Sequence, residues 1–292
     1  MAFLIGGANT LDSSYSIEYS GRFNGSNQRL TRDADEDGSS IKATFSAWVK
    51  FSDISSDCAL MGMWDDSGAN DDDGYAVFFR QGSTGRIIFE GGTDTYLRSN
   101  AVFRDPHAWY HFVLAIDSAQ NDNDAQRIYV NGVELTSFAG RSNLTNLQDL
   151  PMNKTAGNAD SIYIGSAYDT SGATKHFNGY MSEVYWIDGS QLTPSSFGET
   201  DSSSGIWKPI DYTGSYANNS FRLEFGGTST GVGSGRFASD TSGRSNHLDT
   251  NNFSGQYQMT DTPTNNFCTM SPVTEINMAL SAGATAVQFS GS

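Results

Sequence analysis

Residues 109–135, WYHFVLAIDSAQNDNDAQRIYVNGVEL, constrain this chain more than any other stretch. Two apolar, β-rich runs, Trp109–Ile116 and Arg127–Val130, flank a polar loop, and the second is closed by Asn131 and Gly132. An Asn-Gly pair suits a type I′ hairpin turn, because both residues take positive φ with little steric penalty. The spacing predicts a meander of three antiparallel strands over 109–117, 127–131 and 133–138. Within it, Ile128 and Val130 share one face while Arg127 and Tyr129 share the other, as expected of a sheet with one face on a core.

The rest of the chain repeats this grammar. Strands are predicted over Tyr15–Tyr19, Thr44–Phe51, Cys58–Trp64, Tyr75–Arg80, Arg86–Glu90, 95–103, Ser161–Gly165, Phe177–Ile187 and Phe221–Phe225. In Thr44–Phe51 large residues occupy both faces, which suggests a central strand in a two-sheet packing. Gly (31), Tyr (13) and Phe (18) are abundant and Pro (6) is scarce, and no long run has an apolar period of 3.6 residues, so the chain reads as all-β. Leu144, Leu147 and Leu150 in a polar loop suggest a short helical turn, and Thr193-Pro194 opens another. About a dozen strands at this spacing fit a jelly-roll sandwich. After Gly198 the composition shifts to Gly, Ser, Thr and Asn. Three segments are therefore expected: an N-terminal arm (1–14), a sandwich (15–199) and an irregular extension (200–292) that wraps the sandwich or packs on a partner.

A formal net charge of −16 argues against nucleic acid and against anionic membranes as partners. The apolar run Phe3, Leu4 and Ile5 is too short for a signal-peptide core or a membrane span; it reads as an edge strand or as an anchoring arm. Cys58 and Cys268 have no framework or ligand spacing and read as free, buried thiols. His107, His111, His176 and His247 lack metal-ligand spacing and read as structural. Glu183 and Asp188 are five residues apart, on opposite faces of a regular strand, so they do not form the carboxylate pair of a glycosidase. No catalytic site is expected.

Six segments, FNGSNQRLTR (23–32), TFSAWVKF (44–51), HAWYHFVLAID (107–117), RIYVNGVEL (127–135), IYIGSA (162–167) and FNGYMSEVYWIDG (177–189), stand in the order and spacing of a laminin-G-like, concanavalin-A-like sandwich, which the chain resembles over about two-thirds of its length. A narrower resemblance, to virion proteins of tailed (marine-type) bacteriophages, rests on LTPSSFGETD (192–201), WKP (207–209) and DTPTNNFCT (261–269). It implies a non-enzymatic virion protein: a tail fibre or host-facing adhesin component, with a capsid decoration protein as the alternative and a free carbohydrate-binding module third. It also implies a homotrimer among other virion proteins, assembled in the host cytoplasm and displaying its loops to a host-surface glycan. Such sandwiches frequently bind sugar, which needs an aromatic platform beside polar groups. Trp64, Tyr96 and Tyr168 are the candidates, while Trp48, Trp109 and Trp186 lie inside strands and read as core.

Sandwiches of this type often hold calcium in acidic loops, and here Asp65, Asp66, Asp71 and Asp73 are the candidate ligands; no other cofactor is expected. The EF-hand register fails, since Gly74 as its glycine would put Ala69 first and Arg80 last. A calcium-loaded loop raises the melting midpoint by mass action and chelation reverses the rise; an unmoved midpoint leaves a solvated loop.

Overall fold

A computed structural model describes residues 15–33, 38–65, 75–91, 94–120, 122–142, 144, 160–169 and 172–265. The candidate anchor Phe3, Leu4 and Ile5 lies outside these residues, as do Asp66, Asp71, Asp73, Leu147, Leu150 and Cys268. Of Asp65 only the backbone, closing a strand, is described.

Two eight-stranded antiparallel sheets pack face to face. Across the first run β10 (Val133–Glu134), β9 (Gln126–Val130), β8 (Tyr110–Asp117), β3 (Lys42–Phe51), β15 (Asn178–Asp188), β1 (Ser20–Asn24) and β20 (Gln258–Met259). There β18 (Phe221–Leu223) also pairs with β15. Across the second run β11 (Phe138–Arg141), β7 (Asp94–Val102), β6 (Arg86–Gly91), β5 (Tyr75–Arg80), β4 (Cys58–Asp65), β12 (Asp160–Ile164), β2 (Arg29–Asp33) and β19 (Asp249–Asn251). Two hairpins lie outside them: β13 (Ala167–Asp169) with β14 (Gly172–Thr174), and β16 (Gly198–Thr200) with β17 (Trp207–Pro209). The architecture is the all-β jelly-roll sandwich that the strand pattern predicts. Between the sheets sits an aromatic core in which Phe45, Phe78, Phe112, Phe51 and Phe177 meet edge to face. A one-turn helix, Pro194–Ser196, follows Thr193 as expected, and another, Asp122–Asp124, precedes β9.

Two strand predictions change. The first strand begins at Ser20 and not at Tyr15, because the backbone of Ile17 is taken by side chains: its N–H donates to Thr264 Oγ1 (2.9 Å) and its carbonyl accepts from Thr262 Oγ1 (2.9 Å). The third strand of the meander shrinks to Val133–Glu134, since Phe138–Arg141 crosses to pair with β7 in the other sheet.

The outer face of the first sheet carries an apolar cluster of its own among buried polar residues such as Thr44, Ser46 and His111, and the chain beyond residue 190 covers it. Leu192, Phe197, Tyr212 and Tyr216 pack on Val113, Ala115, Tyr129, Tyr185 and Ile187. Beside them His111 lies between the indoles of Trp48 (4.9 Å) and Trp207 (6.0 Å). Trp207 Nε1 donates to His111 Nδ1 (3.0 Å), so in the neutral ring the proton sits on Nε2, facing Ser46 Oγ (2.8 Å). Trp48 is therefore buried outside the inter-sheet core, and half-buried Trp109 precedes β8; only Trp186 among these three belongs to the inter-sheet core as expected. Asp261 completes the cover, accepting from Lys50 Nζ (2.8 Å) and Trp109 Nε1 (3.2 Å). All three segments that carry the narrower resemblance thus contribute to this cover.

The cover constrains the hairpin turn. Gly132 has φ of 82°, and a Cβ there would lie 2.5 Å from the Trp207 ring. Gly132→Ala is expected to destabilise the fold by about 2–4 kcal/mol, of which only the backbone part, about 1–2 kcal/mol, survives in a Trp207→Ala background. Denaturant melts of the four proteins measure this, and equal costs in both backgrounds would show that the ring does not press on the turn. Burial holds the His111 pKa down at about 3, against an ordinary 6.5. The unfolded chain therefore takes up this proton at a higher pH than the folded one. Stability falls as pH drops from 6.5 towards 3, with a slope approaching about 1.4 kcal/mol per pH unit. Melting curves of His111→Gln should lack that component of acid sensitivity.

Candidate functional site

The outer face of the second sheet holds the predicted aromatic residues. Met61 and Met63 of β4 and Ile162 and Ile164 of β12 point into the core, which turns Trp64 and Tyr163 outwards. Gly62 sits opposite Tyr163 in the register and leaves room for the β13–β14 hairpin. A Cβ on Gly62 would come within 2.7 Å of the Ser166 carbonyl oxygen and 2.9 Å of Ala167 Cα. Seated there, the hairpin stacks Tyr168 on Tyr163 at 5.1 Å with an interplanar angle of 17°. Tyr168 also meets Trp64 at 5.5 Å and 60°. Trp64 and Tyr168 are half-buried, each with ring surface left to solvent, whereas Tyr163 is buried beneath.

Tyr96 is a correction. It stands in β7 but faces inwards against Phe89 at 5.2 Å and is 2 % exposed, so it offers no surface to a ligand. Alternation cannot distinguish the two faces of a strand whose neighbours are apolar on both. Tyr163 carries no signal of its own in the sequence, because its strand reads as ordinary core; only the fold over Gly62 reveals it. On the same face Lys175 Nζ lies 3.6 Å from Glu90 Oε1 and 5.0 Å from the Phe79 ring centroid. Burial pushes the Glu90 carboxyl above its usual range, with Lys175 opposing. Among the described residues no group of three or more His, Cys, Asp or Glu is arranged to hold a metal ion.

A second constellation has no sequence signal. Ser182 opposes Trp48 and Tyr185 opposes Ser46, so Glu183 and Val184 together oppose Ala47 in a β-bulge. Glu183 takes φ of 48°, uncommon for a residue with a side chain. The bulge falls where the far edge of β15 passes from β1 to β18. Glu183 Oε2 accepts from Tyr185 Oη and from Arg222 Nε at 3.1 Å, and Arg222 further pairs with Asp211 and Glu224, each at 3.1 Å, and donates to Tyr15 Oη. Burial pushes the Glu183 carboxyl up, while the Arg222 charge pulls it down. Beside this network a cleft of about 300 Å³ opens between residues 15–19 and 224–226. Tyr15 and Arg222 of this network stand 207 residues apart, a meeting that no local pattern signals. The bulge does not bring Glu183 and Asp188 together. Asp188, opposite Ala43, is 4 % exposed and accepts the Ser39 N–H at 2.8 Å, which accounts for its carboxylate at least as well as the turn at Gly189 does.

A family model described as the concanavalin A-like lectin/glucanases superfamily matches residues 24–197. No curated protein matches the chain. Among solved structures, the chain is similar to a heptameric SAP-like pentraxin from Limulus polyphemus, with 14 % identity, 62 % of this chain and 80 % of that one covered and a TM-score of 0.43. The CBM40 of the Ruminococcus gnavus IT-sialidase gives 14 % identity, 60 % and 94 % coverage and a TM-score of 0.41. Domains LG4-5 of the mouse laminin α1 chain give 13 % identity, 73 % and 49 % coverage and a TM-score of 0.39.

Proposed function

This chain belongs to the concanavalin A-like lectin/glucanases superfamily, and on that footing we propose that it is a non-enzymatic, glycan-recognising component of a bacteriophage virion, a tail fibre or other host-facing adhesin. The observation that carries the glycan reading is the seating of Tyr168 against Trp64, with Tyr163 beneath. A pyranose has an apolar C–H face ringed by hydroxyls, and a rigid pair of half-exposed aromatic rings matches that face at little entropic cost. The hairpin that carries Tyr168 lies directly on Gly62, so the pair is organised before any ligand arrives.

The virion assignment is supported by LTPSSFGETD, WKP and DTPTNNFCT, the segments that carry the resemblance to tailed-phage proteins. They cover the first sheet, and the aromatic pair looks out from the second. A particle attached on the covered side would present the aromatic pair outwards. A homotrimer among other virion proteins would multiply weak sugar contacts into avidity. A non-enzymatic role fits the separate environments of Glu183 and Asp188. Among the described residues no helix is long and apolar enough to cross a membrane.

Glycan-array binding by the intact chain is expected to fall by about tenfold or more in Trp64→Ala and in Tyr168→Ala, in line with base- and sugar-stacking residues elsewhere at about 1–3 kcal/mol, with midpoints of unfolding little changed. An affinity that neither substitution weakens would remove the platform from the reading. Gold-labelled antibody on particles tests location: label at the tail supports an adhesin, label over the head replaces it with a decoration protein, and absence of label overturns the virion assignment.

A further inference from the structure

We propose that the cleft at the break between β1 and β18 is a second binding site, for one neutral saccharide residue, distinct from the aromatic pair in both position and origin. Tyr15, Tyr19, Glu18, Glu183, Glu224 and Gly226 line its opening. Of these only Glu183 falls within the segment matched to the family, residues 24–197; the others come from the chain on either side of it. The site is therefore built where this chain adds to the sandwich and not where it shares it.

The lining selects the ligand. Three carboxylates accept hydrogen bonds and repel anions, so the ligand must be rich in donors and carry no negative charge. Arg222, behind the lining, pairs with Glu183, Glu224 and Asp211 at 3.1 Å and offsets one of these charges, so the cleft stays a field of acceptors that excludes anions. The two tyrosine rings supply apolar wall. Gly226 keeps the mouth open, since its nearest neighbour to a would-be Cβ is Tyr19 Cδ2 at 4.0 Å. A volume of about 300 Å³ suits a single sugar ring, at the lower end of ligand pockets. Both acids are held before binding: Glu183 by Tyr185 and Arg222, at 3 % exposure, and Glu224 by Arg222.

The cleft lies at the first sheet, beside the Glu183 bulge, and the aromatic pair faces out from the second, so one chain would hold saccharides on opposite sides of the sandwich. The proposal shares its ligand class with the function above but none of its residues, and the two fail separately. Saturation-transfer NMR of the full chain with neutral mono- and disaccharides would be run in a Trp64→Ala background, which removes the platform. Transfer to a sugar is expected there, with the dissociation constant rising about tenfold or more when Glu224→Gln or Gly226→Leu is added. Gly226→Leu fills the cleft without a backbone clash, and Glu224→Gln keeps the shape while removing a charged acceptor, so one of them reports even if the other unfolds. Two results would overturn the cleft and leave the platform untouched: no transfer in the Trp64→Ala protein to any neutral sugar, even at raised sugar concentration, or transfer that neither added substitution weakens.

Discussion

The Trp207 indole, seated on His111 and pressed against Gly132, is the contact on which the rest of the arrangement depends. A two-sheet sandwich ordinarily buries one face of each sheet and leaves the other to water. Here the first sheet carries Val113, Ala115, Ile187, Trp48 and Tyr185 on the face that water would reach. That surface needs a cover. The chain after residue 190 provides it, with Phe197 and Tyr212 on one side and Trp207 on the other. Gly198 as well as Gly132 must then lack a side chain, because the same indole packs against both.

The cover has a functional consequence. Segments that read as the most distinctive part of the sequence are engaged within the molecule: Lys208 of WKP with Asp201 of the preceding segment, and Asp261 with Lys50 and Trp109. They define how the sandwich is closed on one side, and the half-buried aromatic pair remains on the other. Closing one face in this way also made new surface. The same additions that contribute β18 and the 224–226 turn leave the gap beside β1 in which Glu183 bulges. A strand edge shared between two short partners is where an extra residue fits most readily, because no continuous ladder opposes it.

The aromatic site is legible in the sequence where its chemistry is local. Trp64 precedes an acidic loop and Tyr168 precedes Asp169 in a short hairpin strand, and both are half-buried on the outer face. Tyr96 has similar flanks but its ring turns into the core against Phe89, so flanking composition misleads there. Arg222 and Glu183 sit 39 residues apart and Tyr15 a further 168 before Glu183, so their meeting depends on pairing that neighbours in sequence cannot encode. The same limit applies to the first strand: alternation in Tyr15, Ile17 and Tyr19 is genuine, yet the hydroxyls of Thr262 and Thr264 reach Ile17 first.

Side-chain period and the φ preferences of single residues were enough to determine the long central strands, the hairpin at Asn131-Gly132 and the sandwich class, while the short strands such as β2, β13, β14, β16, β17, β19 and β20 took shape only through their partners. Which face of each strand meets which layer was decided by tertiary packing alone. The period of two says that faces differ but not where each one points, and a sheet apolar on both sides leaves the choice to whatever chain arrives to cover it. That choice set Trp48 under Trp207, Tyr96 in the core and Trp64 beside Tyr168 on the outer face of the second sheet.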